Sequence, residues 1–282
     1  MSHSEEHSDN LIFRAQALKE GYNRIVRRGE KGLKHLEFGR LLVSSGDWSG
    51  ETDGCEAVLD IFKGSATLEV ECPSGGGTRF ERLGGRSSAF DGLATAIYLP
   101  PRTSYRLSAS GGPVEAAIFT APVESAEGQA VVVGPEDAVV ATVGKDNWTR
   151  EVVTMVGDNV PAAKLLVGET INPPGNWSSS PPHKHDTFNP PNEAVLEEIY
   201  FFQVDPRQGF GIIRVYSDPK DPAPLNEIYV VEDGDTVVIP RGYHPVAAAP
   251  GYTLHYTWAL AGEVRRLGAW SDDPRHAWLK NA

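Results

Sequence analysis

The fold is decided by the stretch Gly234-Asp235-Thr236-Val237-Val238-Ile239-Pro240-Arg241-Gly242-Tyr243-His244. It contains, in order, a turn glycine, a run of β-forming residues, a proline corner and a ring-bearing residue. A similar order recurs between Phe90 and Tyr105, where Ile97-Tyr98-Leu99-Pro100 forms the run and the corner. Two copies of one β-unit predict two β-domains of similar architecture.

The segments around these copies are short, rich in valine, isoleucine, tyrosine and threonine, and separated by many of the 29 glycines and 21 prolines. Many short strands at fairly even spacing indicate antiparallel sandwiches or barrels. We therefore predict an all-β fold, with a first domain over residues 11–135 and a second over residues 136–282. Helix is expected only in short pieces near Asn10–Leu18 and Asp273–Leu279.

The composition is that of an ordinary globular protein, with 40% hydrophobic and 23% charged residues in a chain of 282. The sequence contains no apolar run that could cross a bilayer, and its first residues do not resemble a signal peptide. Only two cysteines, Cys55 and Cys72, are present, which fits a reducing compartment. A net charge of −12 argues against nucleic acid or an anionic membrane as the main partner. We expect a cytoplasmic protein.

Four residues of the second domain form a candidate metal site. His183 and His185 stand two positions apart, so on a strand their side chains point to the same face. Glu198 and His244 come from later strands and complete a set of three imidazoles and one carboxylate. This set suits a divalent transition metal that keeps positions open for a ligand. Strand alternation favours Glu198 over Glu197, which would point to the opposite face.

Simpler roles remain open for the histidines and their acidic neighbours. His183 and His185 could be loop histidines that only form hydrogen bonds. Glu193 lies in a proline-bounded loop and is a weaker ligand candidate than Glu198. His255 stands on an aromatic-rich strand and is expected to be a buried core or pocket histidine rather than a ligand.

The metal motifs resemble those of the cupin superfamily, whose usual pattern is Gly-x5-His-x-His, then Glu, and later Gly-x5-Pro-x-Gly-x2-His. Two spacings differ here: twelve residues separate His185 from Glu198, and only Tyr243 separates Gly242 from His244. Within the cupins, the chain is similar to the 5-deoxy-glucuronate isomerases of bacterial myo-inositol catabolism. The segments that carry this resemblance are Pro174-Gly175-Asn176-Trp177-Ser178-Ser179-Ser180-Pro181-Pro182-His183-Lys184-His185-Asp186, Asn189-Pro190-Pro191, Leu196-Glu197-Glu198-Ile199-Tyr200 and Pro240-Arg241-Gly242-Tyr243-His244-Pro245.

The resemblance implies a bicupin of two antiparallel β-sandwich or jelly-roll barrels, with one divalent metal in the C-terminal barrel and none in the first. It implies an aldose–ketose isomerase that converts 5-deoxy-glucuronate to 2-deoxy-5-keto-gluconate through an enediol. His183, His185, Glu198 and His244 would hold the metal, and zinc, manganese, iron and nickel all suit this set. Because related ketol-isomerases form oligomers, a homo-oligomer is expected, with a small anionic sugar acid as substrate.

Three further residues are candidates for catalysis. Tyr200 shares the face of Glu198 on a regular strand, so it is the favoured side chain for proton transfer. Lys184 lies between two ligands and is turned away from them by alternation, so carboxylate pairing is an equal interpretation. Arg241, or else Arg214, would hold the substrate carboxylate, although either could form a salt bridge instead. Other proton-transfer candidates are Asp186, Glu197, Tyr216 and Tyr243.

Two functions from other classes remain as alternatives. Three histidines and a glutamate also serve iron dioxygenases, which predicts iron dependence and oxygen consumption. A non-catalytic bicupin would bind a sugar acid without turnover. A nucleophilic hydrolase is disfavoured because the sequence has no Gly-x-Ser-x-Gly elbow, and Gly75-Gly76-Gly77 lacks the lysine of a phosphate loop.

Overall fold

A computed structural model describes residues 10–73, 75–124 and 128–281, and its sheets are antiparallel throughout. This confirms the predicted all-β fold. The strands of the first half are β1 (Ile12–Phe13), β2 (Gly21–Val26), β3 (Glu37–Val43), β4 (Asp47–Glu51), β5 (Cys55–Lys63), β6 (Ser65–Glu71), β7 (Gly77–Gly84), β8 (Thr95–Leu99), β9 (Ser104–Ala109), β10 (Val114–Pro122) and β11 (Val131–Val133).

The described residues of the second half form twelve more strands. They are β12 (Val139–Val143), β13 (Arg150–Val156), β14 (Leu166–Asn172), β15 (Trp177–Ser178), β16 (His183–Lys184), β17 (Glu197–Asp205), β18 (Phe210–Tyr216), β19 (Asn226–Glu232), β20 (Thr236–Ile239), β21 (Val246–Ala248), β22 (Thr253–Ala261) and β23 (Ser271–Asp272). The helical pieces are single 3-10 turns or little more, at Glu30–Gly32, Asp146–Trp148 and Ala277–Asn281.

Each half of the chain builds its own pair of facing sheets. The first half has a six-stranded sheet, β11-β8-β5-β10-β3-β2, and a four-stranded sheet, β4-β9-β6-β7, with a shared buried core that includes Leu41, Leu59 and Leu107. The second half has a seven-stranded sheet, β1-β20-β17-β22-β14-β13-β12, a four-stranded sheet, β15-β21-β18-β19, and the pair β16-β23. Among the described residues, no helix is long and apolar enough to cross a membrane.

The helix predicted near Asn10–Leu18 is wrong. Residues 12 and 13 form β1 instead, and Ile12 pairs with Val237 of β20 in the seven-stranded sheet. Leu11 and Ile12 are buried there, so tertiary pairing outweighs the weak local preference for helix. The second predicted helix is reduced to the turn at Ala277–Asn281.

The six-stranded and seven-stranded sheets pack back to back between the two halves. Phe201 of β17 lies against Phe38 and Phe62 of the first half, with ring centroids 5.5 and 5.3 Å apart. Because side chains alternate along a strand, Glu198 and Tyr200 of β17 point the other way, into the interior of the second half. This alternation decides which residues of β17 can reach a functional site.

Two carboxylates join the halves in the same manner, and we call them the interdomain clamps. Glu197 accepts hydrogen bonds from the backbone N–H groups of residues 34, 35 and 36, at 2.6, 2.7 and 2.6 Å, just before β3 begins. Glu56 accepts three from residues 163, 164 and 165, each at 2.7 Å, just before β14 begins. Each half therefore supplies the acceptor that satisfies buried or partly buried donors of the other.

A buried ionic cluster also crosses the interface. Arg86 donates to Glu169 at 3.0 and 2.5 Å and approaches Asp60 at 3.4 Å, while His255 lies 3.3 Å from Glu169. Burial works to raise the pKa of Glu169, but the charges of His255 and Arg86 outweigh it and hold that pKa at about 2. Burial and the neighbouring Glu169 raise the pKa of Asp60 well above its ordinary value. Asp60 is therefore the proton-carrying acid of the pair.

Candidate metal centre

Two strands, β16 and β17, and the corner after β20 bring the predicted metal ligands together. The short strand β16 carries His183 and is held by β23, in which Asp272 pairs with His183. Glu198 stands near the start of β17, and His244 follows the proline corner after β20. The longer loop between His185 and Glu198 does not prevent their approach, because Leu196 N–H donates to the carbonyl of His185 at 2.9 Å.

The four side chains converge on one point. The nitrogen ligand atoms of His183, His185 and His244 all lie within 4.8 Å of one another. Oε2 of Glu198 lies 3.1 Å from Nε2 of His185 and 3.3 Å from Nε2 of His244. A set of three imidazoles and one carboxylate in this arrangement suits a divalent transition metal.

Backbone carbonyls orient two of the imidazoles. Nδ1 of His185 lies 2.6 Å from the carbonyl oxygen of Leu196, and Nδ1 of His244 lies 2.9 Å from that of Gly242. When Nδ1–H donates to a carbonyl, Nε2 keeps its lone pair for a metal. Nε2 of His244 is buried and has no hydrogen-bond partner among the described residues, since its approach to Glu198 lacks hydrogen-bond geometry. An orphaned buried nitrogen of this kind fits a metal ligand.

The pKa shifts of His183 and His244 agree with a role as metal ligands. Burial lowers the pKa of His244 to about 4, and burial together with the neighbouring imidazoles lowers the pKa of His183 well below its ordinary value. Both are therefore neutral at pH 7, which is the form that binds metals. Burial also works to lower the pKa of His185, but its hydrogen bond to Glu198 outweighs this effect and raises it.

A cavity of about 320 Å³ opens beside the metal site and is lined by His183, His185 and Glu198. Its wall is the inner face of the seven-stranded sheet, from which Glu198, Tyr200 and Tyr256 project. Trp270, from the segment before β23, closes one side and packs on His183 with ring centroids 5.0 Å apart. The cavity is mostly apolar with a few polar groups, as is usual for small-molecule sites.

Of the three predicted catalytic residues, only Tyr200 lines the cavity. Its ring centroid lies 5.9 Å from that of His244, and burial, with the charge of Glu198, raises its pKa well above the ordinary value. The phenol is therefore protonated at neutral pH and can act as a hydrogen-bond donor.

Lys184 and Arg241 lie outside the cavity lining. Nζ of Lys184 contacts Asp186 and donates to Glu193 at 2.8 Å, in keeping with the alternation that turns it away from the histidines. Arg241 pairs with Asp221 and with a backbone carbonyl. Their catalytic roles stay predictions, and their contacts give both residues a structural use. Arg214, the alternative, is exposed and donates to Asn226.

Sequence reasoning missed Arg150, Asp272 and Trp270, which all line the cavity. Arg150 opens β13, a run of Arg-Glu-Val-Val-Thr-Met-Val that is typical of a strand. Had this run been assigned, alternation would have put residues 150, 152 and 154 on one face. Asp272 and Trp270 carried no usable signal, because only the long-range pairing of β23 with β16 brings them to the site.

A model of the KduI/IolB family matches residues 11–279. A protein of Geobacillus kaustophilus named 5-deoxy-glucuronate isomerase is 38% identical over 250 residues, which are 88% of this chain and 87% of that protein. A protein of Bacillus licheniformis with the same name is 37% identical over 259 residues, 90% of this chain and 91% of that protein.

Solved structures agree with this family match. An IolB-like protein from Salmonella typhimurium superposes with a TM-score of 0.87 at 31% identity, covering 96% of this chain and 99% of that one. Oxalate decarboxylase of Lactobacillus farciminis superposes with a TM-score of 0.68 at 12% identity, covering 97% and 90%, and shows the fold alone. The predicted bicupin architecture is confirmed, and on the strength of the family match and these identities the chain belongs to the KduI/IolB family.

Proposed function

We propose that this protein is a 5-deoxy-glucuronate isomerase, an aldose–ketose isomerase that converts 5-deoxy-glucuronate to 2-deoxy-5-keto-gluconate. The observation that carries the proposal is the convergence of three imidazoles and Glu198 at the wall of the cavity. The names of the relatives, which match over most of the chain, support the same substrate.

His183, His185, Glu198 and His244 are the ligands of one divalent metal in this proposal, with zinc, manganese, iron or nickel as the ion. When bound, the ion polarises the substrate carbonyl and stabilises negative charge on the oxygen. The neutral imidazoles of His183 and His244 require no proton loss to bind it. The apolar wall and Trp270 limit the access of water to the reacting carbons.

Isomerisation moves a proton from C2 to C1, so the cavity must supply groups that exchange protons. Tyr200 is the side chain that we assign to this task, as a donor to a substrate oxygen, because its raised pKa keeps the hydroxyl protonated. Asp272 is the second acid of the cavity lining and pairs with Lys280. It is the carboxylate that we assign as the proton acceptor.

The remaining features of the proposal follow from the family and the sequence. The protein is cytoplasmic and homo-oligomeric, and its domains cover residues 11–135 and 136–282, except that β1 pairs into the sheet of the second. The first domain carries no metal motif and supports the second through the interdomain clamps. The names of the relatives favour isomerisation over a dioxygenase or a non-catalytic sugar-acid-binding bicupin.

The test is an anaerobic proton NMR time course with 5-deoxy-glucuronate in heavy water, using metal-loaded protein. We expect the aldehyde-hydrate signals to fall as ketose signals grow, and the His244→Ala variant to lose both metal and turnover. Absence of turnover with all four metals would overturn the substrate assignment. Consumption of oxygen in a parallel aerobic sample would favour the dioxygenase instead.

A further inference from the structure

Three cationic side chains line the cavity: Arg150, Arg266 and Lys280. Lys280 is exposed and pairs with Asp272, and Arg266 is exposed to solvent. Arg150 differs from both because it is half-buried, and burial lowers its pKa. A sheltered guanidinium is the group of this set whose interaction with an anion is least screened by water.

Arg150 has no acidic partner in the part of the chain that the structure describes. Its Nη1 donates to the carbonyl of Trp148 at 3.3 Å, and no carboxylate of the described residues lies within ion-pair distance of its guanidinium. Removing a cation from water without a counter-charge costs free energy, and such groups are usually paired. Among the other buried or half-buried arginines, Arg40 pairs with Glu115 and Arg86 with Glu169. Arg265 also lacks an ion pair, but it donates to the backbone carbonyls of Leu165 and Gly157. Arg150 has a single hydrogen bond to a carbonyl and stands in the cavity wall.

The position of Arg150 relative to the histidines suits a substrate charged at one end. The residue opens β13, and Val152 and Thr154 follow it along the same wall of the cavity. The metal-site residues His183, His185 and Glu198 line the same cavity as Arg150. The guanidinium therefore shares one cavity with the metal centre.

We propose that Arg150 binds the carboxylate of the sugar acid and thereby selects a uronate over a neutral sugar. This inference rests on the proposed function and names its carboxylate-binding residue, in place of Arg241 or Arg214. The planar fork of arginine can hold both carboxylate oxygens, which lysine cannot do in the same geometry. The aldehyde end then lies toward the histidines.

The test compares two substrates in wild type, Arg150→Met and Arg150→Lys: 5-deoxy-glucuronate and its neutral counterpart with a C6 alcohol, 5-deoxy-glucose. Arg150→Met should lower kcat/KM for the acid about 10- to 100-fold, mainly through KM, and change it less than about 3-fold for the alcohol. Arg150→Lys should recover part of the loss. Arg241→Gln, which removes an arginine outside the cavity, serves as the matched control and should keep the wild-type preference.

A binding measurement separates failure of this inference from failure of the isomerase proposal. Calorimetry on the metal-loaded protein uses the borohydride-reduced acid, which keeps the carboxylate but lacks the aldehyde. Weaker binding to Arg150→Met supports the role of Arg150 even if wild type does not turn the acid over. Equal losses for the acid and the alcohol, or unchanged binding of the reduced acid, overturn it while leaving any isomerase activity intact. A melting temperature no lower than that of wild type is also expected, because the guanidinium has no ion pair to lose.

Discussion

Glu197→Ala tests whether the interdomain clamp supports the metal centre. The carboxylate accepts three backbone hydrogen bonds of 2.6 to 2.7 Å, of which the one from Leu36 is buried and the other two are partly buried. Leaving a buried donor unsatisfied costs about 1–3 kcal/mol. Taking about 2 kcal/mol for Leu36 and about 1 for each of the others, we expect a loss of about 4 kcal/mol.

Two assays follow from this estimate. In a chain of this size a loss of about 4 kcal/mol lowers the melting temperature by about 7 °C. Because Glu197 is the chain neighbour of Glu198, its loss should also free the start of β17 and weaken metal binding about 10-fold in a chelator competition. The matched control is Glu56→Ala, which breaks the other clamp and has no neighbouring ligand. It should lower the melting temperature similarly and leave metal affinity within about 3-fold of wild type.

The result that would refute the reasoning is an equal loss of metal affinity in both variants, since that would reflect general loosening of the protein rather than misplacement of Glu198. A shift of less than about 2 °C in Glu197→Ala, corresponding to less than about 1 kcal/mol, would refute the assigned hydrogen-bond energies themselves.

Three other perturbations give distinct outcomes. Tyr200→Phe should lower kcat about 100-fold or more while metal content stays unchanged, and a drop in metal content would instead make Tyr200 a structural support. Glu169→Gln should destabilise the protein by about 3–5 kcal/mol at pH 7, because it leaves Arg86 buried without its main partner. Asp60→Asn should cost much less, because burial and the charge of Glu169 raise the pKa of Asp60 well above its ordinary value. Denaturant titration of both variants compares them. The folded pKa of Glu169 is about 2 and lies below its unfolded value. The stability that Glu169 contributes is therefore present above pH 4.5 and is lost as pH falls toward 2. If Glu169→Gln showed the same loss of stability on acidification as wild type, this reasoning would be contradicted. Lys184→Met should reduce stability, because it loses the contact with Glu193, and should change kcat less than about 3-fold at a temperature where the variant is folded. A large fall in the kcat of the folded variant would instead support the predicted catalytic role of Lys184.

The sequence predicted the centre better than its surroundings. His183, His185, Glu198 and His244 could be found because ligand type and strand alternation are local properties, and alternation also separated Glu198 from Glu197. Their convergence in the structure follows from the pairing of β17 with β20, from the pairing of β16 with β23, and from the hydrogen bond that joins Leu196 to His185.

What the sequence did not predict depends on contacts between distant segments. Asp272 reaches the cavity only because β23 pairs with β16, and the residues near Ile12 become a strand only because β20 is there to pair with them. Arg241 was chosen for its nearness in sequence to His244, yet Asp221 holds it elsewhere. Local pattern identifies which residues can do chemistry, while tertiary pairing decides which of them meet.

The interdomain clamps bear on how the chain is made. A ribosome releases residues 34–36 and Glu56 long before residues 163–165 and Glu197, so the first half emerges with three donors and one carboxylate still without their partners. Ile12 of β1 has no strand to pair with until Val237 of β20 has been synthesised. The contacts between the halves, and the seven-stranded sheet that carries Glu198, are therefore completed only after the second half has been synthesised.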